Sequence, residues 1–283
     1  MNLLVPLVIA LLVASHGFTV DRQYIERWAR SAGVELSPAT YPRVRRYLTW
    51  SRRSRNAGGL TGFLIPVVYA ELAMEGRRSS GWEFAFVLAG YLAGALFAEF
   101  VVNRRHGADG GALLVPRRLG DYLPGYVLVL QRGLGGLAPV LAAIYAIAPR
   151  SEAERLPDTA AVLAFGGVGI AVAVGIEFLQ RRIVARRQTA ESEASVAVDD
   201  AIRSSSLHVV AGAGLGVLLN IVGGELMVVG ALTGVRGAPG NAAGWLLLGL
   251  GVLALVSSIA FWVDLTKPRG FVVRRGRRHG AAA

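Results

Sequence analysis

Cysteine is absent from the 283 residues. That removes disulfides, thiolate nucleophiles, Cys-ligated zinc and iron–sulfur clusters together. Histidine is nearly as scarce: His16, His106, His208 and His279 are scattered, and no His-Glu-x-x-His zinc motif can be written from them. There is no Gly-x-Ser-x-Gly nucleophile elbow. Lysine occurs once, as Lys267, so arginine carries almost all of the positive charge. Charge of either sign is also nearly missing from several long apolar stretches. Catalytic residues, a metal and a cofactor are therefore not expected.

What remains is apolar and basic. Hydrophobic residues make up 53% of the chain, glycine supplies 36 positions and the mean hydropathy is +0.48, beyond the habit of soluble domains. The net charge of +11 and isoelectric point near 10.9 would suggest nucleic acid in a soluble protein. Here the excess lies in segments 18–57, 103–123, 180–206 and 265–283, each beside a hydrophobic run. Anionic lipid headgroups are the simpler partner for basic clusters so placed, and no nucleic acid is expected.

Seven runs approach the ~20 residues that cross a ~30 Å hydrocarbon core. They are Leu3–Gly17, Gly58–Met74, Trp82–Val102, Gly125–Ala148, Ala160–Leu179, Leu207–Thr233 and Ala242–Val263. The first lacks the basic residue that precedes a signal peptide's apolar core, and nine arginines follow it in 18–57. It is expected to stay as an anchor. Of the 30 Lys and Arg, 24 fall in one alternating set of hydrophilic segments and five in the other. By the positive-inside rule the N-terminus is expected outside and the C-terminus in the cytoplasm of a multi-pass plasma-membrane protein.

After the anchor come three hairpins with weak internal repetition. Arg55 to Leu60 (Arg-Asn-Ala-Gly-Gly-Leu) matches Arg132 to Leu137 (Arg-Gly-Leu-Gly-Gly-Leu), and Ala98-Glu99-Phe100 matches Ile176-Glu177-Phe178. The match predicts interfacial ion pairs Arg55–Glu99 and Arg132–Glu177. It also places the start of the fourth span after Arg132, because a mid-membrane Arg costs about 2.5–3.5 kcal/mol. Leu119–Gln131 is then an interfacial stretch. The third hairpin keeps only Arg203 at its start and Asp264 at its end.

In the 18–57 segment, Asp21–Ala32 and Tyr41–Arg55 read as two helices with Tyr24, Ile25, Trp28, Val44, Tyr47 and Leu48 opposite the arginines. Forty residues are too few for an independent core, so helices lying in the headgroup plane are expected. Docking of a cytoplasmic partner is the alternative. In 180–206, Asp199 or Asp200 is expected near a helix N-terminus, where carboxylates are favoured. The tail 265–283 reads as disordered.

Ionisable groups inside apolar runs are functional by default. Glu225 is the foremost, and with Asn220 and Glu71 it could line a polar path for a proton or cation. Gly90, Gly94, Gly212 and Gly216 stand four apart in pairs, as does Gly58 with Gly62, which suits close packing of helix backbones. Asp199-Asp200-x-x-Arg203 shares part of the aspartate-rich motif of membrane alcohol phosphotransferases. It lacks the motif's Asp-Gly start and later aspartates, and the match fails. The whole chain, with Pro116-Arg-Arg-Leu-Gly-Asp-Tyr-Leu-Pro124 before a Gly-rich span, resembles uncharacterised polytopic integral membrane proteins of actinobacteria. That resemblance implies a plasma-membrane location and no activity.

The sequence thus predicts an all-α polytopic membrane protein of about seven spans. It divides into an anchor (1–17), basic helices (18–57), a six-helix membrane domain (58–264) and a basic tail (265–283). The leading functional expectation is a permease-like or transporter-associated protein without enzymatic activity, with other membrane subunits or a cytoplasmic ATPase as partners. The alternatives are an anchor or sensor recruiting a cytoplasmic partner through 18–57, and a membrane-embedded lipid-modifying enzyme.

Overall fold

The computed structural model describes residues 20–73, 83–104, 117–148, 157–186, 192–236 and 241–266, with backbone alone at 69–73, 83–85, 99–104 and 234–236. Among the described residues there are seven α-helices and no strand. They are α1 (Arg22–Ala32), α2 (Tyr41–Ala73), α3 (Glu83–Arg104), α4 (Gly125–Ile147), α5 (Thr159–Val184), α6 (Glu193–Arg236) and α7 (Ala242–Thr266), with a single 3₁₀ turn at Leu119–Asp121. The expected anchor 1–17 and the tail beyond Thr266 lie outside the described residues.

Four helices, α4 to α7, are long and apolar enough to cross a bilayer, and α3 carries a shorter apolar stretch, Phe86–Ala98. Their outer faces say what solvent they need. On α7, Trp245, Leu246, Leu253 and Val256 are each about 60–70% exposed. Burying one such side chain is worth about 1.5–3 kcal/mol, while a whole domain is stable by only about 5–15 kcal/mol. Leaving this face in water forfeits a sum of that order, whereas hydrocarbon removes the deficit. The chain is a helical protein built to sit in lipid, and the expected seven spans go beyond the four helices that meet both length and apolarity.

The chain forms two compact units. One comprises the described residues up to Pro124, with Leu179–Val210 and Thr266; the other comprises Gly125–Phe178 and Ala211–Leu265.

In the first unit, α1 starts where the Asp21 side chain accepts the Tyr24 backbone N–H at 2.7 Å. It stops at Gly33, whose φ of 65° suits glycine best. A Ser37–Thr40 turn, closed by Tyr41 N–H to the Ser37 carbonyl at 2.9 Å, leads into α2. The sequence expectation of a helix ending near Arg55 is corrected here: α2 continues without interruption through Gly58 and past Pro66 to Ala73. Apolar surroundings sustain glycine and proline inside a helix because no water competes for the backbone.

The apolar faces of α1 and α2 are also not turned to headgroups. Ile25, Trp28, Val44, Tyr47 and Leu48 are buried in one core with Val198, Ala201 and Ile202 of α6. Trp28 and Tyr47 lie with ring centroids 6.4 Å apart, and the Tyr47 hydroxyl is 3.0 Å from Ser206 Oγ. The forty residues are indeed too few to close a core, and α6 supplies the missing wall.

α2 and α3 pack backbone to backbone. A Cβ at Gly58 would strike the Gly90 carbonyl, one at Gly62 the Phe86 carbonyl, and one at Gly94 the Ser54 carbonyl. The two small-x-x-x-small pairs therefore face each other.

In the second unit the same device recurs with alanine. A Cβ at Gly135 would meet Ala173, at Gly166 Ala142, and at Gly169 Ala138, joining α4 to α5. Gly223 and Gly230 of α6 meet Gly251 and Gly244 of α7. In the α6 glycine run the close approach falls at Gly214, against Ile176; Gly212 and Gly216 are buried beside it. α4 begins directly after Pro124, so the expected interfacial stretch Leu119–Gln131 is divided. Its first residues form the 3₁₀ turn, and Gly125–Gln131 are the opening turns of α4.

Candidate functional site

Two places hold charge away from water, one in each unit. In the second unit Glu225 sits on α6 and is only 2% exposed, and neither carboxylate oxygen has a hydrogen-bond partner. Residues four and seven apart share a helix face, so Glu225 belongs to the stripe carrying Ile221, Val229 and Leu232. Val229 and Leu232 pack with Ala142 and Tyr145 of α4 and Val162 of α5. One turn before Glu225, Ile221 lies against Gly169 of α5. A carboxylate is held in an apolar setting where ionisation finds no compensating donor.

Asn220 is not part of that setting. Five residues before Glu225, it is turned about 140° away by the 3.6-residue period. Its Nδ2 donates to the Ser258 hydroxyl at 2.8 Å and to the Gly216 carbonyl at 2.9 Å. Ser258 in turn donates to the Leu255 carbonyl at 2.6 Å. Asn220 thus ties α6 to α7. Glu71 lies on α2, in the other unit, and its side chain is outside the described residues.

Also in the second unit, the Arg132 guanidinium grips Glu177 in a forked ion pair, Nη2 to Oε1 at 2.8 Å and Nε to Oε2 at 3.1 Å. Arg132 stands two turns inside α4, and this pairing and its exposure accommodate its charge. The companion pair is not described at Glu99. Arg55 donates to the Ser51 carbonyl at 2.9 Å and stacks its guanidinium 5.7 Å from the Tyr91 ring centre.

The first unit holds the larger assembly. Asp199 and Asp200 are buried well inside α6, which starts at Glu193, so they do not serve the helix N-terminus as expected. Asp199 accepts from Arg43 at 2.7 Å, from Arg186 at 3.0 Å and from Arg203 at 2.9 Å. Arg203, wholly buried, also donates to the carbonyls of Arg186 at 3.0 Å and Val184 at 3.4 Å, which pins the end of α5. Asp200 accepts the Tyr122 hydroxyl at 3.1 Å and lies 3.4 Å from Arg117 Nη2. Burial and the Asp200 charge push the Tyr122 hydroxyl above its ordinary range, so it stays a donor.

None of these residues except Arg203 figured in the sequence-derived charge pairs. One signal was legible: Pro42-Arg43 is followed by Tyr47-Leu48, and Pro116-Arg117 by Tyr122-Leu123. Both arginines reach the Asp199-Asp200 pair. Among the described residues no group of His, Asp and Glu is arranged to hold a metal. Compared with protein-family models, with curated proteins and with solved structures, the chain matches none.

Proposed function

We propose that the chain is a permease-like or transporter-associated plasma-membrane protein without enzymatic activity, and that Glu225 is its proton- or cation-exchanging group. The supporting observation is the carboxylate itself: it is buried, unpartnered and carried on an apolar helix. Evolution rarely retains such a group in hydrocarbon without use. The arginine bias supports a cytoplasmic C-terminus. The recruiting-anchor reading loses support, because the apolar face of 18–57 that would dock a partner is covered by α6.

Reconstituted vesicles carrying an internal pH-sensitive dye provide the test. The protein should collapse an imposed gradient of protons or sodium faster than protein-free vesicles, and Glu225→Gln should abolish the difference while remaining monodisperse. Dicyclohexylcarbodiimide, an apolar carboxyl reagent, should label the parent and not the variant. Equal flux from the two proteins would remove Glu225 from the mechanism.

A further inference from the structure

Glu225 is surrounded on its own helix by hydrocarbon. Positions three, four and seven residues away share its face of α6. They are Leu218, Ile221, Val222, Val228, Val229 and Leu232, all apolar. Apart from Val228, each of these is buried, none more than 5% exposed. No side chain on this face can lend an oxygen.

The polar side chains closest along α6 are committed elsewhere. Asn220 donates to Ser258 and to the Gly216 carbonyl. The Thr233 hydroxyl bonds to the Val229 and Gly230 carbonyls of its own helix, at 3.1 and 3.0 Å. Where Val229 and Leu232 pack against α4 and α5, the hydroxyl present is that of Tyr145, which donates to the Pro157 carbonyl at 2.5 Å. The backbone offers no more. Cation sites in membrane transporters draw on carbonyls freed where a helix unwinds, and α6 runs as one helix from Glu193 to Arg236.

This setting discriminates between the ions that a carboxylate can exchange. A proton binds through one covalent bond to one oxygen and leaves a neutral group, which requires no further ligand and no cavity. Hard metal cations take on the order of six oxygen ligands, and potassium likewise exchanges its hydration shell for a ring of them. A carboxylate supplies two. A cation left short of ligands among apolar side chains is a buried charge without compensation.

We infer that Glu225 exchanges protons and no metal cation. The inference rests on Glu225 being the exchanging group proposed above, and narrows that reading to one ion. An O–H bond forms on the carboxylate as hydronium gives up its proton, and breaks when water takes the proton back. No co-reactant is needed.

The test uses the full chain in vesicles. Proton uptake is followed with the internal dye in choline thiocyanate, whose membrane-permeant anion balances the charge, and uptake of radioactive sodium and rubidium is followed separately. Proton uptake above that of protein-free vesicles should persist without sodium or potassium and be lost in Glu225→Gln. Sodium and rubidium uptake should match protein-free vesicles. Labelling of the parent by dicyclohexylcarbodiimide serves even if Glu225→Gln does not fold: its rate should be the same in sodium, potassium and choline chloride, because none of these cations occupies the carboxylate. Labelling slowed by sodium or potassium, or Glu225-dependent uptake of sodium or rubidium, overturns the proton inference and leaves Glu225 as the exchanging group. Uptake of all three ions unaffected by Glu225→Gln overturns the wider reading as well.

Discussion

Replacing Asp199 with asparagine should cost about 3–5 kcal/mol of stability, the scale for stripping one partner from a buried ion pair. Asparagine keeps the volume and removes only the charge, so the loss is electrostatic. Arg43, Arg186 and Arg203 all contact this one carboxylate at 2.7–3.0 Å. Without it, three guanidinium groups confront each other, and the Arg186 and Arg203 side chains among them are only 10% and 0% exposed. The damage should spread, because Arg203 holds the end of α5 through the Val184 and Arg186 carbonyls. The measurement is the temperature at which half of the detergent-purified protein leaves the monodisperse peak. A large downward shift is expected for Asp199→Asn. Glu26→Gln, which removes one carboxylate from the exposed Arg22–Glu26 pair, should leave the midpoint nearly unchanged, as exposed pairs contribute at most about 1 kcal/mol. Similar midpoints for the two variants would mean that Asp199 is not the hub described.

Gly94→Val should separate α2 from α3. The added Cβ would strike the Ser54 carbonyl, and that obstacle is backbone, so it cannot rotate away as a side chain could. Overpacking against movable neighbours costs about 1–3 kcal/mol, and a rigid neighbour puts this change at the upper end or beyond. Gly90→Val, aimed at the Gly58 carbonyl, should behave alike. Gly249→Val on α7 is the control, since nothing lies within 4 Å of its Cβ position. Its effect should remain within about 0.5 kcal/mol, the range of surface substitutions. Proteolysis within residues 74–82 in membranes, compared across the three variants, reads the separation. Equal cleavage of Gly94→Val and Gly249→Val would contradict the backbone contact.

Much of this was readable before any coordinates, for a physical reason: lipid imposes simple rules. Apolar length located α4 to α7, and Gly58, Gly62, Gly90 and Gly94 showed their role because hydrocarbon leaves close packing as the main attraction between helices. The spacing of 45 residues between Arg132 and Glu177 brought both to one level, and the side chains meet at 2.8 Å. What stayed hidden depends on partners far along the chain. Periodicity showed that Trp28 and Tyr47 face one way, but not that Val198 and Ile202 would cover them. Asp199 is 156 residues from Arg43, and a pair of aspartates in a basic loop has an equally good local explanation as a helix start. The continuity of α2 through Gly58 and Gly59 was missed because glycine breaks helices in water, where its backbone finds other partners.

The central claim is that hydrocarbon, not water, covers the outer faces of the long helices. A chain without cysteine permits a direct measurement, because each introduced thiol is alone. Leu253, about midway along α7 and 60% exposed, should be shielded by lipid, whereas Gln23 on α1 is exposed to water. In open membrane fragments, a membrane-impermeant maleimide should modify Gln23→Cys readily and leave Leu253→Cys unmodified until detergent denaturation exposes it. Equal reaction of both thiols in the intact fragments would contradict the account.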